Sequence, residues 1–471
     1  IYIFVGIIKN IKAMKKLLLS CVVLFLLNIL HINQSQAQDW QNSSSVTLHT
    51  PFPVDAYAQK VKVYNNDYLV GITKKESSIY GFVQWYNGNN SATYGLLNNS
   101  NIVLNDFTFF GNFLYFCGQK LTNQGNYVGI IGYFDMNDFI NSGNFNYRYT
   151  EVPTINNLTK ILINTYNTGD KIVTAIGNGP NTILGTYGQI VHINLADPNT
   201  ICYNPFPFFN ATQLEVLFDM FSYGDYVITL SKNHPSDQYF IRYFKFDGQY
   251  LQNVISYIYT FPNIYTIYTS NPEYYPLHIA DISQDTFAVC LSASDGQTDF
   301  TMINFHKKFS NHIFSSQLLR HYDKDHTVLE MEYSPTIKRL LLLNDSYFNG
   351  QGKVQTMTYI DPWETNPYVT LMENFNTPSK INHFSLISPD HYAVTGSYSF
   401  SQSNNLHLFA TKEINHDFLS CLDNSLPTID TLFIGQGTLV SQVPMYDTIN
   451  ANWIVDQTSN YIDNIDVNCI D

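Results

Sequence analysis

Short runs of apolar residues recur along this chain, and each one follows a tight turn rich in Asp, Asn or Gly. Such runs, bounded by turn residues, are typical of β-strands. Several of them, including residues 340–343, are apolar at every position, which is expected of a strand covered on both faces. Seven of these strands are predicted to begin at residues 67, 112, 170, 225, 285, 338 and 390.

The predicted starts are separated by 45, 58, 55, 60, 53 and 52 residues. One four-stranded blade of a β-propeller needs about 40–50 residues plus a loop. A coil of a β-helix is far shorter, and paired sandwiches would not keep one spacing over seven repeats. These repeats resemble those of β-propellers over residues 45–414. The resemblance implies an all-β, seven-bladed propeller of four-stranded antiparallel blades.

No named propeller subfamily fits the repeats, because they lack the Trp-Asp strand endings of WD40 proteins and the double glycines of kelch proteins. A further strand-like segment, 45–49, precedes the first repeat, and the seventh repeat lacks a clear fourth strand. We therefore expect segment 45–49 to complete the last blade and close the ring. Residues 38–414 form the predicted propeller. Residues 415–471 form a β-rich C-terminal tail, which would continue further in a longer natural protein.

The N-terminal region has the features of a Sec signal peptide of a bacterial-type protein. Met14 is followed by two lysines, an apolar run over 17–30 and the small residues Ser35 and Ala37. We expect residues 1–13 not to be translated, residues 14–37 to be removed, and the product to be periplasmic, cell-surface or secreted. A lipid anchor at Cys21 is the alternative, but the apolar run continues past that residue.

Composition limits the classes of partner. Loss of residues 1–37 removes four lysines and no acid, which leaves a net charge of −18. Nucleic acid binding requires clustered Lys and Arg, which are absent, so we expect no nucleic acid partner. The apolar run of about 14 residues is too short to span a bilayer, so we expect no transmembrane segment. The chain is expected to be a monomer.

Five cysteines follow the predicted cleavage site. Cys117 and Cys290 each lie in an apolar repeat strand and are expected to be buried thiols between blades. Cys421 and Cys469 flank the tail and would form a disulfide in an oxidising compartment if they meet. Two unpaired thiols are the equally weighted alternative.

Polar residues that precede the tight turns form the candidate ligand-binding site. Counting back from each turn places five of them on the innermost strands, facing the central channel. Carboxylates there would bind Ca²⁺ or supply an acid and a base for glycoside cleavage. The alternative is that each acid caps a turn or accepts hydrogen bonds from the next blade. The candidates are Asp106, Asn164, Asp219, Asp281 and Glu332.

Aromatic residues in loops provide a second candidate surface, because aromatic rings stack on sugars. Tyr274, Tyr275 and Trp363 are the candidates. No catalytic motif stands out, so the sequence favours a non-catalytic binding propeller that recognises a protein or a glycan. A carbohydrate-active propeller enzyme and a purely structural module are the alternatives. No cofactor is expected beyond Ca²⁺.

Overall fold

In the computed structural model, the chain forms a ring of antiparallel β-sheets. The described residues are 45–50, 56–75, 80–87, 91–95, 101–142, 145–181, 185–205, 214–234, 238–248, 250–260, 266–267, 277–294, 299–321, 327–348, 352–363, 379–388, 391–400, 403–413, 429–432, 438–439, 447–457, 459–461 and 466–468. The predicted leader, Tyr274, Tyr275, Cys421 and Cys469 lie outside them.

The sheets are numbered along the chain. Sheet 1 contains β2 (Ala56–Tyr64), β3 (Tyr68–Lys75), β4 (Tyr80–Tyr86) and β5 (Ser91–Gly95). Sheet 2 contains β6 (Asn101–Phe110), β7 (Phe113–Leu121), β8 (Tyr127–Asp135) and β9 (Asn146–Val152), with helix α1 (Met136–Asn141) between β8 and β9. Sheet 3 contains β10 (Asn157–Thr165), β11 (Lys171–Asn181), β12 (Gly185–Asn194) and β13 (Thr200–Pro205).

Sheet 4 contains β14 (Leu214–Tyr223), β15 (Tyr226–His234), β16 (Gln238–Phe246) and β17 (Leu251–Thr260). Sheet 5 contains β18 (Thr266–Ile267), β19 (His278–Asp281), β20 (Thr286–Ser294), β21 (Asp299–Lys307) and β22 (Ile313–His321). Sheet 6 contains β23 (Thr327–Ser334), β24 (Arg339–Phe348) and β25 (Gly352–Ile360). Sheet 7 contains β26 (Ser379–Ser388), β27 (His391–Phe400), β28 (Ser403–Glu413) and β1 (Ser45–Thr50).

The predicted propeller is confirmed, and six complete four-stranded blades are found among the described residues instead of the predicted seven. The innermost strands β2, β6, β10, β14, β19, β23 and β26 contact one another in this order and close a ring. Six sheets are complete four-stranded blades, whereas sheet 6 has three strands among the described residues. Residues 364–378, which follow its last strand and the adjacent turn, lie outside the described part.

Strand β1 joins the two ends of the propeller. It pairs antiparallel with β28, with Ser45 opposite Lys412 and Leu48 opposite Phe409. The prediction that segment 45–49 completes the last blade is therefore confirmed. This pairing ties the first described strand of the chain to the last repeat, and closure of this kind removes a sheet edge that would otherwise be exposed.

The tail adds a short outermost strand to six of the sheets. Its strands pair with sheets 5, 4, 3, 2, 1 and 7 in this order, so the tail runs around the propeller against the direction of the repeats. We call it the belt. The belt strands are β29 (Ile429–Leu432), β30 (Thr438–Leu439), β31 (Asp447–Asn450), β32 (Ile454–Gln457), β33 (Ser459–Tyr461) and β34 (Asp466–Asn468).

The hydrophobic core lies between neighbouring sheets. One cluster joins sheets 1 and 2, another joins sheets 2 and 3, and others join sheets 3 and 4, sheets 4 and 5, and sheets 5 and 6. Cys117 and Cys290 are buried free thiols in these layers, as predicted, and Cys202 is buried as well. The second strands contribute apolar side chains to both faces, which is why their sequences lack the alternation of a half-exposed strand.

Candidate functional site

Each innermost strand places one charged or histidine side chain at the central channel. We call this set the channel ring. Six members pair with the fifth residue of the following strand, and Lys160 pairs with the sixth, Ile176. The channel ring consists of Lys60, Asp106, Lys160, Asp219, His278, Glu330 and His383.

A β-bulge positions six of these residues. The register of strand pairing shifts directly before each of them, for example between Leu104 and Asp106 and between Val328 and Glu330. A bulge leaves one residue unpaired, bends the strand and re-aims the next side chain. His278 needs no bulge because it is the first residue of β19. The local distortion therefore turns a polar side chain toward the channel from an otherwise apolar strand.

Basic and acidic residues alternate around the channel ring. The order from sheet 1 to sheet 7 is Lys, Asp, Lys, Asp, His, Glu and His. Because seven positions cannot alternate fully, two basic residues meet where the ring closes, between His383 and Lys60. Every acid thus has a basic residue on each side, an arrangement that compensates for burying charge.

Among the acids of the channel ring, Glu330 contacts the largest number of basic side chains. Its Oε2 lies 2.7 Å from Lys60 Nζ and 3.2 Å from His383 Nε2. Its Oε1 lies 3.5 Å from Lys160 Nζ and 3.9 Å from His278 Nδ1. Burial opposes ionisation of this carboxyl, but Lys160, Lys60 and His383 outweigh that effect and hold its pKa well below the usual range.

Asp106 and Asp219 also connect neighbouring sheets. Asp106 Oδ2 accepts a hydrogen bond from the backbone N–H of Ile161 at 3.0 Å, and Asp219 Oδ2 accepts one from that of Ile279 at 3.2 Å. Lys62 lies 3.0 Å from Asp106. Burial alone would raise the pKa of both acids, but adjacent lysines for Asp106, and Lys160 with His278 for Asp219, lower it below its usual value. These contacts match the structural alternative considered for the acids.

The two ring histidines bond the backbone of the next sheet. His383 Nδ1 accepts a hydrogen bond from the N–H of Val61 at 3.5 Å. His278 Nε2 lies 3.1 Å from the carbonyl oxygen of Val328 and donates to it, since a carbonyl can only accept. Burial, with a smaller effect of Lys60, lowers the pKa of His383 to about 4. His383 is therefore neutral at pH 7.

The lysines of the ring differ in their environment. Burial lowers the pKa of Lys60, although Glu330 opposes the decrease. Burial has the same effect on Lys160, but Asp219, Glu330 and Asp106 outweigh it and raise the pKa above its ordinary value. Lys160 therefore holds its proton more strongly than Lys60 does. It lies 3.1 Å from Asp219 Oδ1.

The five predicted channel residues do not all meet. Asp106 and Asp219 belong to the channel ring, and Glu332 lines the adjoining cavity. Asn164 instead lies near the end of β10, where its Nδ2 donates to the carbonyl oxygen of Gly224 at 2.8 Å. The side chain of Asp281 is 40% exposed and pairs with Lys308 at 2.5 Å. Four of the five predicted residues thus line one cavity and Asn164 does not, while the binding of Ca²⁺ there stays a prediction.

Five members of the channel ring were missed by the sequence prediction: Lys60, Lys160, His278, Glu330 and His383. The predicted residues are mainly acids at a fixed distance from each turn, whereas bulges and turns of unequal length change that distance. The turn after β10 spans Tyr166 to Asp170, for example, so Asn164 lies nearer the turn than expected. These residues share one signal: a polar side chain that pairs with the fifth residue of the second strand, or with the sixth in sheet 3.

A cavity of about 320 Å³ adjoins the ring. It extends along the innermost strands toward their turns, where Phe221, Asp281 and Tyr333 contribute to its wall. We call this end of the propeller the inner-turn face. Burial, reinforced by Glu330, raises the pKa of Glu332 to about 7, although its Oε2 accepts a hydrogen bond from the N–H of Leu386 at 3.0 Å. Glu332 is thus a cavity residue that exchanges a proton near neutral pH.

Two aromatic groups are exposed near this face. Trp363 is 54% exposed and stacks on Phe314, with ring centroids 6.3 Å apart and planes 10° apart. Phe309 is 38% exposed, lies 4.8 Å from the Tyr226 ring and has a φ of 55°. This left-handed conformation is unfavourable for a bulky residue. Trp363, one of the predicted loop aromatics, is therefore accessible to a ligand.

Within the described residues, no helix has the length and apolar character needed to cross a membrane.

Comparisons with known proteins give distant matches among solved structures. No family model matches the chain, and no curated protein matches it. Among solved structures, 27 chains match. The structure of polysaccharide lyase Uly1 is 7% identical, with a TM-score of 0.37, and the match covers 76% of this chain and 90% of that one. A protein of unknown function from Dyadobacter fermentans is 7% identical, with a TM-score of 0.36 and coverage of 79% and 98%.

Peptidases are also similar. A structure from a study of two prolyl endopeptidases is 9% identical, with a TM-score of 0.42, and the match covers 76% of this chain and 50% of that one. Oligopeptidase B from Leishmania major is 8% identical, with a TM-score of 0.32 and coverage of 73% and 54%. The chain thus spans about half the length of these peptidases. The sheet topology identifies the β-propeller, and these distant likenesses carry no argument about fold or activity.

Proposed function

We propose that this protein is a non-catalytic binding propeller that recognises a glycan on its inner-turn face. The observation that carries the proposal is the pairing of the channel acids. Glu330 contacts basic groups from four other sheets, and Asp106 and Asp219 each accept an amide from the next sheet. Acids held in this way maintain the ring and leave ligand contacts to the cavity mouth.

A glycan suits the inner-turn face better than a protein partner. Sugars present apolar ring faces and polar edges. The stacked pair of Trp363 and Phe314 offers an apolar platform, while the cavity offers charged side chains and Glu332 for hydrogen bonds. At about 320 Å³ the cavity is at the small end of the range for ligand sites, which fits one sugar unit. A protein partner is the competing outcome.

The proposed place of action is outside the cytoplasm, in the periplasm, on the cell surface or in the medium. The signal-peptide pattern over residues 14–37 supports this proposal. N-terminal sequencing of the purified protein tests it. We expect a first residue of Gln38, and retention of Lys15 and Lys16 would contradict the proposal.

A glycan array tests the binding function. We expect the wild-type protein to retain one class of glycans and Trp363→Ala to lose at least tenfold in affinity with an unchanged melting temperature. Val455→Ala is the control, because Val455 is a 60% exposed apolar residue on the belt. Equal binding by wild type and Trp363→Ala would contradict the proposed surface. Binding to a protein but to no glycan would show that the ligand is a protein and would contradict the proposed glycan.

A carbohydrate-active enzyme is the second candidate, and Glu332 is the observation that favours it. A carboxyl with a pKa near 7 at a cavity is suited to general acid or base catalysis. A hydrolysis screen on the glycans retained by the array tests this function. Turnover that is lost in Glu332→Gln, while glycan binding remains, would establish catalysis and reject the non-catalytic proposal.

A further inference from the structure

We propose that Asp219, His278 and Glu330 form a binding site for a divalent transition metal of the Zn²⁺ class. One ligand atom from each residue lies within 4.8 Å of the others, and all three residues are buried. His278 Nδ1 is 3.7 Å from Asp219 Oδ2 and 3.9 Å from Glu330 Oε1. A nitrogen and two carboxylate oxygens around one point form a donor set that suits Zn²⁺ and related ions better than Ca²⁺.

The tautomer of His278 is the observation that points to a metal. Its Nε2–H donates to the carbonyl oxygen of Val328 at 3.1 Å, so Nδ1 carries the lone pair when the ring is neutral. Nδ1 is buried and has no hydrogen-bond partner among the described residues. It faces two carboxylates, which cannot donate when ionised. Metal-bound histidines commonly donate their other N–H to a backbone carbonyl in the same way.

The two separations from His278 require small adjustments, whereas the carboxylate oxygens of Asp219 and Glu330, which lie within 4.8 Å of each other, must approach by up to about 1.4 Å. With metal–ligand distances of about 2.1 Å, tetrahedral ligand atoms lie roughly 3.4 Å apart. Separations of 3.7 and 3.9 Å from His278 Nδ1 need to shorten by a few tenths of an ångström. Because Asp219 and Glu330 also line the cavity, a water molecule there would supply the fourth ligand.

Lys160 is the competitor for this site. Its Nζ lies 3.1 Å from Asp219 Oδ1 and 3.5 Å from Glu330 Oε1, so its ammonium group supplies the positive charge that a metal would bring. Metal entry requires this group to withdraw toward the cavity, which it also lines. The competition makes a distinctive prediction: removal of the charge at Lys160 strengthens metal binding.

Titration of the full chain with Co²⁺ tests the site, because tetrahedral Co²⁺ absorbs visible light. We expect absorption bands in wild type, at least tenfold tighter binding in Lys160→Met, and loss of the bands in His278→Phe. His383→Gln is the matched control, since His383 contacts Glu330 but is not a proposed ligand, and it should keep the bands. Circular dichroism establishes that each variant is folded.

Excess Zn²⁺ should abolish the bands by replacing Co²⁺. Absence of bands in wild type at saturating Co²⁺ would overturn the proposal, and so would unchanged binding by folded His278→Phe. If Lys160→Met fails to fold, the comparison of Co²⁺ binding by wild type and by His278→Phe decides whether the site exists. If His278→Phe fails, the conservative variant His278→Gln replaces it. Glycan binding is measured separately, so failure of the metal site leaves the proposed function standing.

Discussion

Lys60 Nζ lies 2.7 Å from Glu330 Oε2, and this ion pair joins residues that are 270 positions apart in the chain. The two side chains are 13% and 10% exposed. A contact of such sequence separation cannot form before the ring closes, because sheets 1 and 6 are separated along the ring by sheet 7. The alternating charges of the channel ring therefore stabilise the closed ring with its sheets in the correct order. This stabilisation adds to that from apolar packing between sheets.

Glu332 makes stability depend on pH between about 4.5 and 7. In this window the folded protein holds a proton on Glu332 that the unfolded chain releases, so the contribution of this group to stability falls as pH rises. A shift from 4.5 to about 7 corresponds to roughly 3 kcal/mol. We expect Glu332→Gln to gain stability relative to wild type from pH 5 to pH 8 in urea unfolding.

Asp219→Asn is the control for this titration. The pKa of Asp219 is lowered, so its stabilising contribution is present above the unfolded pKa of about 4 and is lost as pH falls through the folded pKa. Its replacement should therefore cost stability at pH 7, opposite in sign to Glu332→Gln. A pH-independent difference between Glu332→Gln and wild type would contradict the assigned proton.

Lys338→Gly should stabilise the protein. Lys338 has a φ of 54° in the turn between β23 and β24, where the equivalent turns of sheets 2 and 4 carry Gly111 and Gly224 at 58° and 54°. A side chain in this region costs about 1–2 kcal/mol, and the greater freedom of glycine in the unfolded chain offsets part of the gain. We expect a net gain of about 0.5–1 kcal/mol in urea unfolding.

Gly111→Ala is the reverse experiment. A methyl group at Gly111 meets no atom within 4 Å, so only the backbone conformation opposes it. It should destabilise the protein by about 1 kcal/mol. Equal stability of Lys338→Gly and wild type would show that the turn in sheet 6 is relaxed.

Detachment of the belt can be followed through Cys202. This buried thiol lies on β13 opposite Thr448 of belt strand β31. Trp453 anchors the adjoining belt segment: its Nε1 donates to the carbonyl oxygen of Pro198 at 2.9 Å, and its ring lies 5.3 Å from that of Tyr133. Trp453→Ala should raise the rate of alkylation of Cys202 about tenfold, since local opening loses roughly 1–2 kcal/mol of packing.

Mass spectrometry of the alkylated peptides distinguishes the thiols. Cys117 and Cys290 lie between sheets and should react at unchanged rates in Trp453→Ala. Parallel acceleration at all three sites would indicate global destabilisation. No acceleration at Cys202 would show that Trp453 does not hold the belt.

The strands of the propeller could be predicted because local chemistry determines them. Each second strand begins within one residue of its predicted start, as at Phe113 and Tyr226. In sheets 1 to 4, glycine or asparagine with positive φ makes the preceding turn, for example Asn66 at 60° and Gly224 at 54°. A continuous apolar run after such a turn has few alternatives to a buried strand. The number of complete four-stranded blades is six instead of the predicted seven, because sheet 6 has three strands in the described part of the chain.

The site was less predictable because it depends on register and closure. Asp106 and Asp219 were found, since an acid near a turn is visible in the sequence. Lys160 and Glu330 become neighbours only after bulges have shifted their strands and separate sheets have met across the channel. Charge alternation around the ring is a property of the closed fold. A single repeat contains one member and shows no pattern.

A double-mutant cycle on Lys60 and Glu330 measures how strongly two members of the channel ring are coupled. Glu330→Gln removes the carboxylate that Lys60 contacts and should lower the free energy of unfolding by about 3–5 kcal/mol. Lys60→Met should cost less, because Glu330 keeps its contact with Lys160. The double variant should lose at least about 2 kcal/mol less than the sum. Lys120→Met is the control, because Lys120 pairs with Glu151 at the same distance of 2.7 Å but with greater exposure, and it should cost about 1 kcal/mol or less.

The decisive measurement is the urea unfolding of Glu330→Gln, with glycan retention measured on the same preparation. If the channel ring is structural, Glu330→Gln loses much of its stability and, below the unfolding transition, keeps glycan binding at the inner-turn face. A variant as stable as wild type that no longer binds or turns over its ligand would contradict the account and identify the channel ring as the functional site.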